Sequence, residues 1–355
     1  MKILIRLPNW LGDAVMATYA LEMLFVNFKD AHFYFVGSKA SIALFAHYSN
    51  VTTLEDTSKK SGFRILNLYK LAKEIPPCNL ALTFQNNFLS ALFLLFNGAK
   101  FRIGFAAELR SFLLHSRPKK PKNTHEAMRF ATLAIQAIQH FKKQITTIKT
   151  QLYLQPNPTN IALPNTFTNS KIAGINAGAA FGVAKRWGEA YFAKCIEYLL
   201  EQNYKILLFG IESEAPINTA ILNYLPKDLQ SSNSLLNLSG QTTIPQLMAY
   251  FSHLDLLLTN DSGPMHIAAA LGIPTLALFG PTNSKETAPF YAPKATIISL
   301  ETLGQKLPCM PCMQRTCPLL KDSKDYHKCM RSLTPELVIL AIQSLISLNQ
   351  TPHKE

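Results

Sequence analysis

The feature that most constrains the fold is an alternation repeated along the chain. Short runs rich in β-branched and aromatic residues are each followed by a longer stretch of helical pattern. That rhythm specifies βα units, whose parallel strands are joined through helices. In the first half it predicts strands at Lys2–Leu7, His32–Val36, Asn79–Phe84 and Phe101–Gly104, with helices at Ala14–Phe28 and Phe88–Phe96. In the second half the predicted strands are Lys171–Asn176, Lys205–Phe209, Leu235–Leu238, Leu254–Thr259, Thr275–Phe279 and Thr296–Ser299. Helices are predicted there at Glu189–Gln202, Pro245–Phe251, Pro264–Leu271 and Pro335–Leu348.

A chain of 355 residues suits two domains, at roughly 100–200 residues each. Between the halves lies Gln155–Ser170, rich in Pro, Asn and Thr and poor in charge, which reads as an exposed linker. The expected division is residues 1–160, residues 161–333, and a C-terminal helix and tail at 334–355 that packs back toward the first domain. Two doubly wound domains facing each other would form a cleft at the carboxyl ends of their sheets, where such folds bind ligands.

Hydrophobic residues make up 48% of the chain and charged residues 16%, enough apolar material for sizeable cores and too much for global disorder. Lys and Arg number 35 against 22 Asp and Glu, a surplus of +13. That surplus points to an anionic partner: nucleic acid, an acidic membrane surface, or a phosphorylated substrate. Aromatic interleaving of the kind that stacks single-stranded bases is absent, which argues against nucleic acid. No run approaches the roughly 18 apolar residues of a membrane span. Phe88–Phe96 is bounded by Gln85-Asn86-Asn87 and Asn97-Gly98, so a buried helix is expected there. Arg6, Pro8 and Asn9 interrupt the N-terminal apolar run before a secretory core can form, so a cytoplasmic protein is expected.

Three turns carry chemistry. The first strand runs into Pro8-Asn9-Trp10-Leu11-Gly12-Asp13 just before a helix. A helix N-terminus favours an ionised carboxylate, so Asp13 can accept a proton from an attacking hydroxyl; equally, Asp is a common helix cap. Gly12 stands alone, without the G-x-G-x-x-G of dinucleotide sites, which argues against a nicotinamide dehydrogenase. In the second half, Asp261-Ser262-Gly263-Pro264-Met265-His266 joins a strand to an Ala-rich helix. Capping residues, a glycine that permits close approach and free helix amides make a site for a diphosphate, and His266 can donate to it. The turn Ala177-Gly178-Ala179-Ala180-Phe181-Gly182, leading to Lys185-Arg186-Trp187, repeats the pattern and adds a cation for a departing diphosphate. Past the next strand, Glu212 and Glu214 are equal candidates for ribose hydroxyls.

Taken together, these segments resemble the ADP-heptose:lipopolysaccharide heptosyltransferases of glycosyltransferase family 9. The matching residues are Arg6 to Asp13, Gly178 to Gly182 with Ala184 to Trp187, and Thr259 to His266. Pro311-Cys312, Arg315-Thr316-Cys317-Pro318 and Cys329-Met330 look like the type II branch. The likeness spans nearly the whole chain in the expected order. Ala177 departs from it, since members often carry Pro before the Gly-Ala turn.

The resemblance implies a GT-B fold, with an acceptor-binding first domain and a nucleotide-sugar-binding second domain. It implies inverting transfer of L-glycero-D-manno-heptose from ADP-heptose to the first heptose of Kdo-lipid A, at the cytoplasmic face of the inner membrane, with no cofactor required. By the same resemblance Asp13 is the general base and Lys185 contacts the nucleotide phosphates. Asp261, Ser262, Gly263, Met265 and His266 hold the diphosphate and donor sugar, with Gly12, Gly178, Ala179, Ala180 and Glu212 completing the donor set. The open alternatives are a type I or type III enzyme with another core acceptor, or a non-catalytic nucleotide-binding module.

Two further clusters remain. Arg110, Arg117, Lys119, Lys120 and Lys122, interleaved with Pro118 and Pro121, form a basic loop suited to the Kdo carboxylates and lipid A phosphates. Leu109, Phe112, Leu113 and Leu114 beside it could touch the membrane. Cys309, Cys312, Cys317 and Cys329 have thiolate spacing compatible with zinc but lack paired Cys-x2-Cys knuckles, so reduced structural cysteines are the expectation.

Overall fold

The apolar runs become strands whose side chains are buried on both faces; Ile3, Leu4 and Ile5 in the first strand have no exposed surface. The computed structural model describes residues 1–59, 62–230 and 232–350, divided into two compact units, Met1–Gln155 and Pro156–Glu355. In chain order the first unit comprises β1 (Lys2–Arg6), α1 (Leu11–Met16), α2 (Thr18–Asn27), β2 (His32–Gly37), α3 (Lys39–Ala43) and β3 (Val51–Glu55). It continues with α4 (Arg64–Lys73), β4 (Leu80–Thr83), α5 (Phe88–Asn97), β5 (Phe101–Ile103), a 3-10 turn at Glu108–Leu113, and α6 (Glu126–Phe141).

The first sheet is parallel, in the order β3-β2-β1-β4-β5. The helix expected over Ala14–Phe28 is instead two, interrupted at Ala17, where the Thr18 hydroxyl bonds back to the Val15 carbonyl at 2.7 Å. Helix α6 buries Ala127, Phe130, Ala131, Ala134, Ala137 and Ile138, a stripe at helical spacing.

The second unit runs β6 (Lys171–Asn176), α7 (Glu189–Glu201), β7 (Tyr204–Phe209), α8 (Ala215–Tyr224), α9 (Lys227–Gln230), β8 (Leu235–Asn237), α10 (Ile244–Phe251) and β9 (Leu256–Asn260). Then follow α11 (Gly263–Ala270), β10 (Thr275–Leu278), α12 (Ser284–Thr287), β11 (Ala295–Ile298), α13 (Lys328–Arg331) and α14 (Pro335–Gln350). Its parallel sheet has the order β11-β10-β9-β6-β7-β8. Both units are doubly wound and Rossmann-like, the construction of the GT-B fold. Strand order reverses between β1 and β4 in one sheet and between β6 and β9 in the other; in such folds ligands bind outside the carboxyl ends of those strands.

The C-terminal helix α14 lies against α7, β10 and β11. Val338, Ile342 and Leu345, spaced along one helical face, join the second unit's core beside Cys195 and Leu199. Residues 351–355 of the expected tail lie outside the described residues.

Candidate active site

In the second unit the turns after β6 and β9 are tied together at the switch point. The Asn260 amide donates to the Ala177 carbonyl at 2.6 Å and its oxygen accepts from the Trp187 backbone at 3.2 Å. Asn176 donates to the Thr259 and Ser262 hydroxyls at 3.3 and 3.2 Å. Ser262 is the N-cap residue of α11, but its hydroxyl is turned to Thr259 and Asn176 rather than onto the helix. The first turn of α11, with the amides of Gly263 and Met265, lies at a positive helix end, an arrangement suited to an anion. The Met265 side chain belongs to a core cluster with Ala277 and Phe279, so its backbone is the part a ligand can use. His266 is buried in the same turn.

Lys185 completes this end of the site. Its ammonium lies 2.5 Å from Asp261 Oδ2, which also accepts from Thr282 at 2.5 Å, and 4.8 Å from the Phe181 ring centre. The side chains of Lys185 and Asp261 are only 11% and 5% exposed. The strand-order reversal thus brings together the two basic or acidic members of separate motifs, 76 residues apart in sequence (261 − 185).

The lysine loop is braced by the cysteine segment. The Ala184 amide donates to the Arg315 carbonyl at 3.0 Å, and the Ala184 carbonyl contacts His327 Nε2 at 2.8 Å. The Arg315 backbone lies so close to Gly182 that a side chain on Gly182 would collide with it. The Trp187 indole donates to the Leu333 carbonyl at 2.7 Å. Cys317 Sγ accepts from the His327 amide at 3.3 Å, and Cys329 is buried, its thiol pushed up to about 12 chiefly by that burial. Among the described residues, no group of three or more His, Cys, Asp or Glu side chains is placed to hold a metal ion.

The two glutamates after β7 are separated by their environments. Glu212 is exposed, while Glu214 is buried at 7% with its carboxylate over Gly178, leaving no room there for a methyl group. Glu214 Oε2 also accepts from the Ile211 amide at 3.1 Å. Gly178 and Ala179 are buried and Ala180 is exposed. Of the two carboxylates, Glu214 is the one laid against the Gly-Ala turn, and Glu212 is exposed.

In the first unit Trp10 is the N-cap of α1, so Asp13 is not the capping residue; it sits in the first helical turn, partly exposed, with Gly12 beside it. The turn after β4 is woven into the same end of the sheet. Gln85 Nε2 donates to the Leu7 carbonyl at 2.7 Å and to Asn9 Oδ1 at 3.1 Å. Arg110, expected in an exposed basic loop, is 2% exposed. Its Nη1 donates to the carbonyls of Gln85 and Asn87 at 2.7 and 3.3 Å, and burial lowers its pKa to about 10. It supports the turn after β4 from beneath. Leu113 and Leu114, expected to reach outward, are core residues.

The remaining loop cations are exposed: Arg117, which donates to the Ser111 carbonyl at 3.1 Å, Lys119, Lys120, which bonds Glu126 at 2.9 Å, and Lys122. A further ion pair, Arg6–Asp56 at 2.5 Å, closes the carboxyl end of β1, with Arg6 also over the Phe93 ring at 4.7 Å. Although burial opposes it, the Arg6 charge and the Ser58 hydrogen bonds hold the Asp56 carboxyl below its ordinary value.

Sequence pattern alone assigns no site role to Gln85, Asp56, Thr282 or Arg315. Each reaches the site through a neighbouring strand or a long loop, and strand order is not written in local pattern.

The profile of glycosyltransferase family 9 (heptosyltransferase) matches residues 68–322, which include the Lys185 loop and the Asp261–His266 turn. The chain belongs to this family. Its similarity to the lipooligosaccharide heptosyltransferase 2 of Campylobacter jejuni is 36% identity over 97% of this chain and 99% of that one. Among solved structures, Escherichia coli ADP-heptose LPS heptosyltransferase II superposes with a TM-score of 0.75 over 99% of this chain and all of that one, at 24% identity. The E. coli heptosyltransferase WaaC with ADP gives a TM-score of 0.74 at 15% identity, covering 97% of this chain and 100% of that one. As a family 9 member the protein is a glycosyltransferase, and the fold relationship extends across both units.

Proposed function

We propose that the protein transfers L-glycero-D-manno-heptose from ADP-L-glycero-D-manno-heptose to the first heptose of Kdo-lipid A, inverting the anomeric carbon. The observation that carries this reading is the turn after β9 in the second unit, where the start of α11 has no side-chain cap and Asp261 just before it pairs with Lys185. The near full-length likeness to heptosyltransferase 2 proteins supports the sugar and the acceptor. Membership of a family with an ADP-bound solved member supports the nucleotide.

In the reaction the acceptor oxygen attacks the anomeric carbon as the bond to the β-phosphate oxygen breaks, and ADP leaves with the bonding electrons. Asp13 takes the acceptor proton; its place in the first turn of α1 favours the ionised form. The α11 amides and the Lys185 ammonium balance charge on ADP, so no acid is needed for the leaving group. Glu214 replaces Glu212 as the carboxylate for the ribose hydroxyls, and the exposed Arg117, Lys119 and Lys122 meet the acidic groups of the acceptor. The reaction takes place at the cytoplasmic face of the inner membrane; no helix among the described residues is long and apolar enough to cross it.

The test is incubation with ADP-heptose and defined truncated core acceptors, read by mass spectrometry and linkage analysis. Transfer to heptosyl-Kdo-lipid A is expected, and Asp13→Ala should lower turnover roughly 100- to 10,000-fold while leaving the fold intact. Near-parental turnover of that variant would remove the base assignment, and transfer to Kdo-lipid A lacking heptose would remove the acceptor.

A further inference from the structure

Helix α5 was expected to be buried because it contains no charged residue. The structure buries Phe93 and Leu94 on its inner side, yet leaves Phe88 and Leu95 41% and 39% exposed. Soluble helices cover such a face with polar residues; a helix that is apolar all round normally has something on every side. Its neighbours continue the pattern. Helix α4 packs against α5 through Leu68, Leu71 and Ala72, and Tyr69 meets Phe96 edge-on at 5.3 Å between ring centres.

The outward positions of α4 are Arg64, Ile65, Leu66, Tyr69, Lys70 and Lys73: three apolar or aromatic residues, three cations and no carboxylate. Phe63, at the N-cap of α4, is 72% exposed. On the other flank of α5 lies the 3-10 turn, whose Leu109 and Phe112 are 75% and 70% exposed. Beyond it comes the basic stretch with Arg117, Lys119 and Lys122, all exposed.

We infer that this face of the first unit, formed by α4, α5 and the Glu108–Leu113 turn, docks on an anionic lipid surface. Exposed aromatic and aliphatic side chains framed by Lys and Arg are the composition of an interfacial membrane contact, in which apolar groups enter the headgroup boundary and cations meet lipid phosphates. An aqueous protein partner would need acidic groups to meet those cations, whereas a phosphate-rich surface supplies them everywhere.

The position of the patch gives the contact a purpose. Phe88, Ala107 and Leu109 line, with Asn86, Asn87 and Arg110, a hollow of about 410 Å³. That hollow adjoins the turn after β4, the turn Gln85 binds to the Asp13-bearing loop. Docking here sets that end of the sheet beside the bilayer in which a lipid-borne acceptor sits, so the inference rests on the acceptor proposed above.

The test is co-sedimentation with vesicles of phosphatidylethanolamine and phosphatidylglycerol in equal parts, against vesicles of phosphatidylcholine alone. The protein should partition onto the anionic vesicles and only weakly onto phosphatidylcholine. Combining Phe63→Ser, Leu66→Ser and Phe112→Ser, all exposed side chains, should lower that partitioning about tenfold or more without changing the melting temperature. Transfer to a deacylated, water-soluble heptosyl-Kdo acceptor should be unchanged. As an independent variant, Lys70→Glu with Lys73→Glu should weaken binding to anionic vesicles only. Equal vesicle binding by parent and triple variant would overturn the inference. So would a parental dimer that the triple variant converts to monomer, because a second copy would then be what covers the face. If neither protein transfers heptose while vesicle binding behaves as stated, the acceptor reading fails and the docking surface stands.

Discussion

The Lys185–Asp261 pair offers a measurable handle on how the proposed donor site is held together. Each charge is nearly removed from water, so deleting one leaves the other desolvated without compensation. For a fully buried pair that loss is about 3–5 kcal/mol. Here both side chains keep some exposure to water, so about 2–3 kcal/mol is the working figure. Asp261→Asn keeps the side-chain shape and an oxygen for the Thr282 hydroxyl, so it isolates the charge. Lys185→Met removes the other charge and keeps much of the packing against Phe181.

Either substitution should lower the melting temperature by roughly 4–12 °C, at about 2–4 °C per kcal/mol for a unit of this size. The double variant removes both charges together and should melt closer to the parent than either single. The assay is a thermal melt of all four proteins with and without ADP, whose diphosphate supplies the negative charge missing from Asp261→Asn. ADP should therefore raise the melting temperature of that variant more than that of the parent. Singles that melt with the parent, or a double variant that melts at the sum of the two losses, would refute the pair as a coupled unit.

Gly178→Ala should displace the Glu214 carboxylate, raising the KM for ADP-heptose while moving the melting temperature by only a few degrees; an unchanged KM would separate Glu214 from the donor. Arg110→Met should destabilise the first unit by roughly 2–4 kcal/mol in urea unfolding, because two carbonyls lose a charged donor in a buried setting; an effect under about 0.5 kcal/mol would show that the turn stands without it. Glu22 gives a pH effect of defined sign. Burial raises its carboxyl from 4.5 to about 7, so the folded state holds a proton that the unfolded chain releases. The resulting penalty is absent below pH 4.5 and grows until about pH 7, reaching on the order of 3 kcal/mol. Glu22→Gln should therefore be stabilised relative to the parent at pH 8 and indistinguishable from it at pH 4; equal stability at both would refute the shift.

The sheets were legible to the extent that their strands are buried. β1, β2, β4 and every strand of the second unit are apolar runs, and each was located to within about two residues of its bounds. β3 was not, because Val51-Thr52-Thr53-Leu54-Glu55 is a half-exposed edge strand in which polar residues dilute the pattern. α4 was not located either: its buried stripe is short, Leu68, Leu71 and Ala72, and the rest of the helix is mostly polar or charged.

At the site, the motif-bearing turns were legible because glycine, proline and capping residues leave a local trace. What the turns do to one another was not. Arg110 reads as one cation among several until the loop is closed, and only then does it prove to be the buried support of a turn 25 residues earlier (110 − 85). Glu212 and Glu214 are indistinguishable by spacing, yet a single helical turn sends one to solvent and lays the other on Gly178. The cysteine segment makes the point most directly. Its spacing reads as structural cysteines compatible with zinc, and its main-chain and His327 contacts grip the loop that carries Lys185. Loosening that grip should therefore disturb the lysine without touching it: His327→Ala removes the contact to the Ala184 carbonyl, and its effect should appear in the KM for ADP-heptose before it appears in turnover.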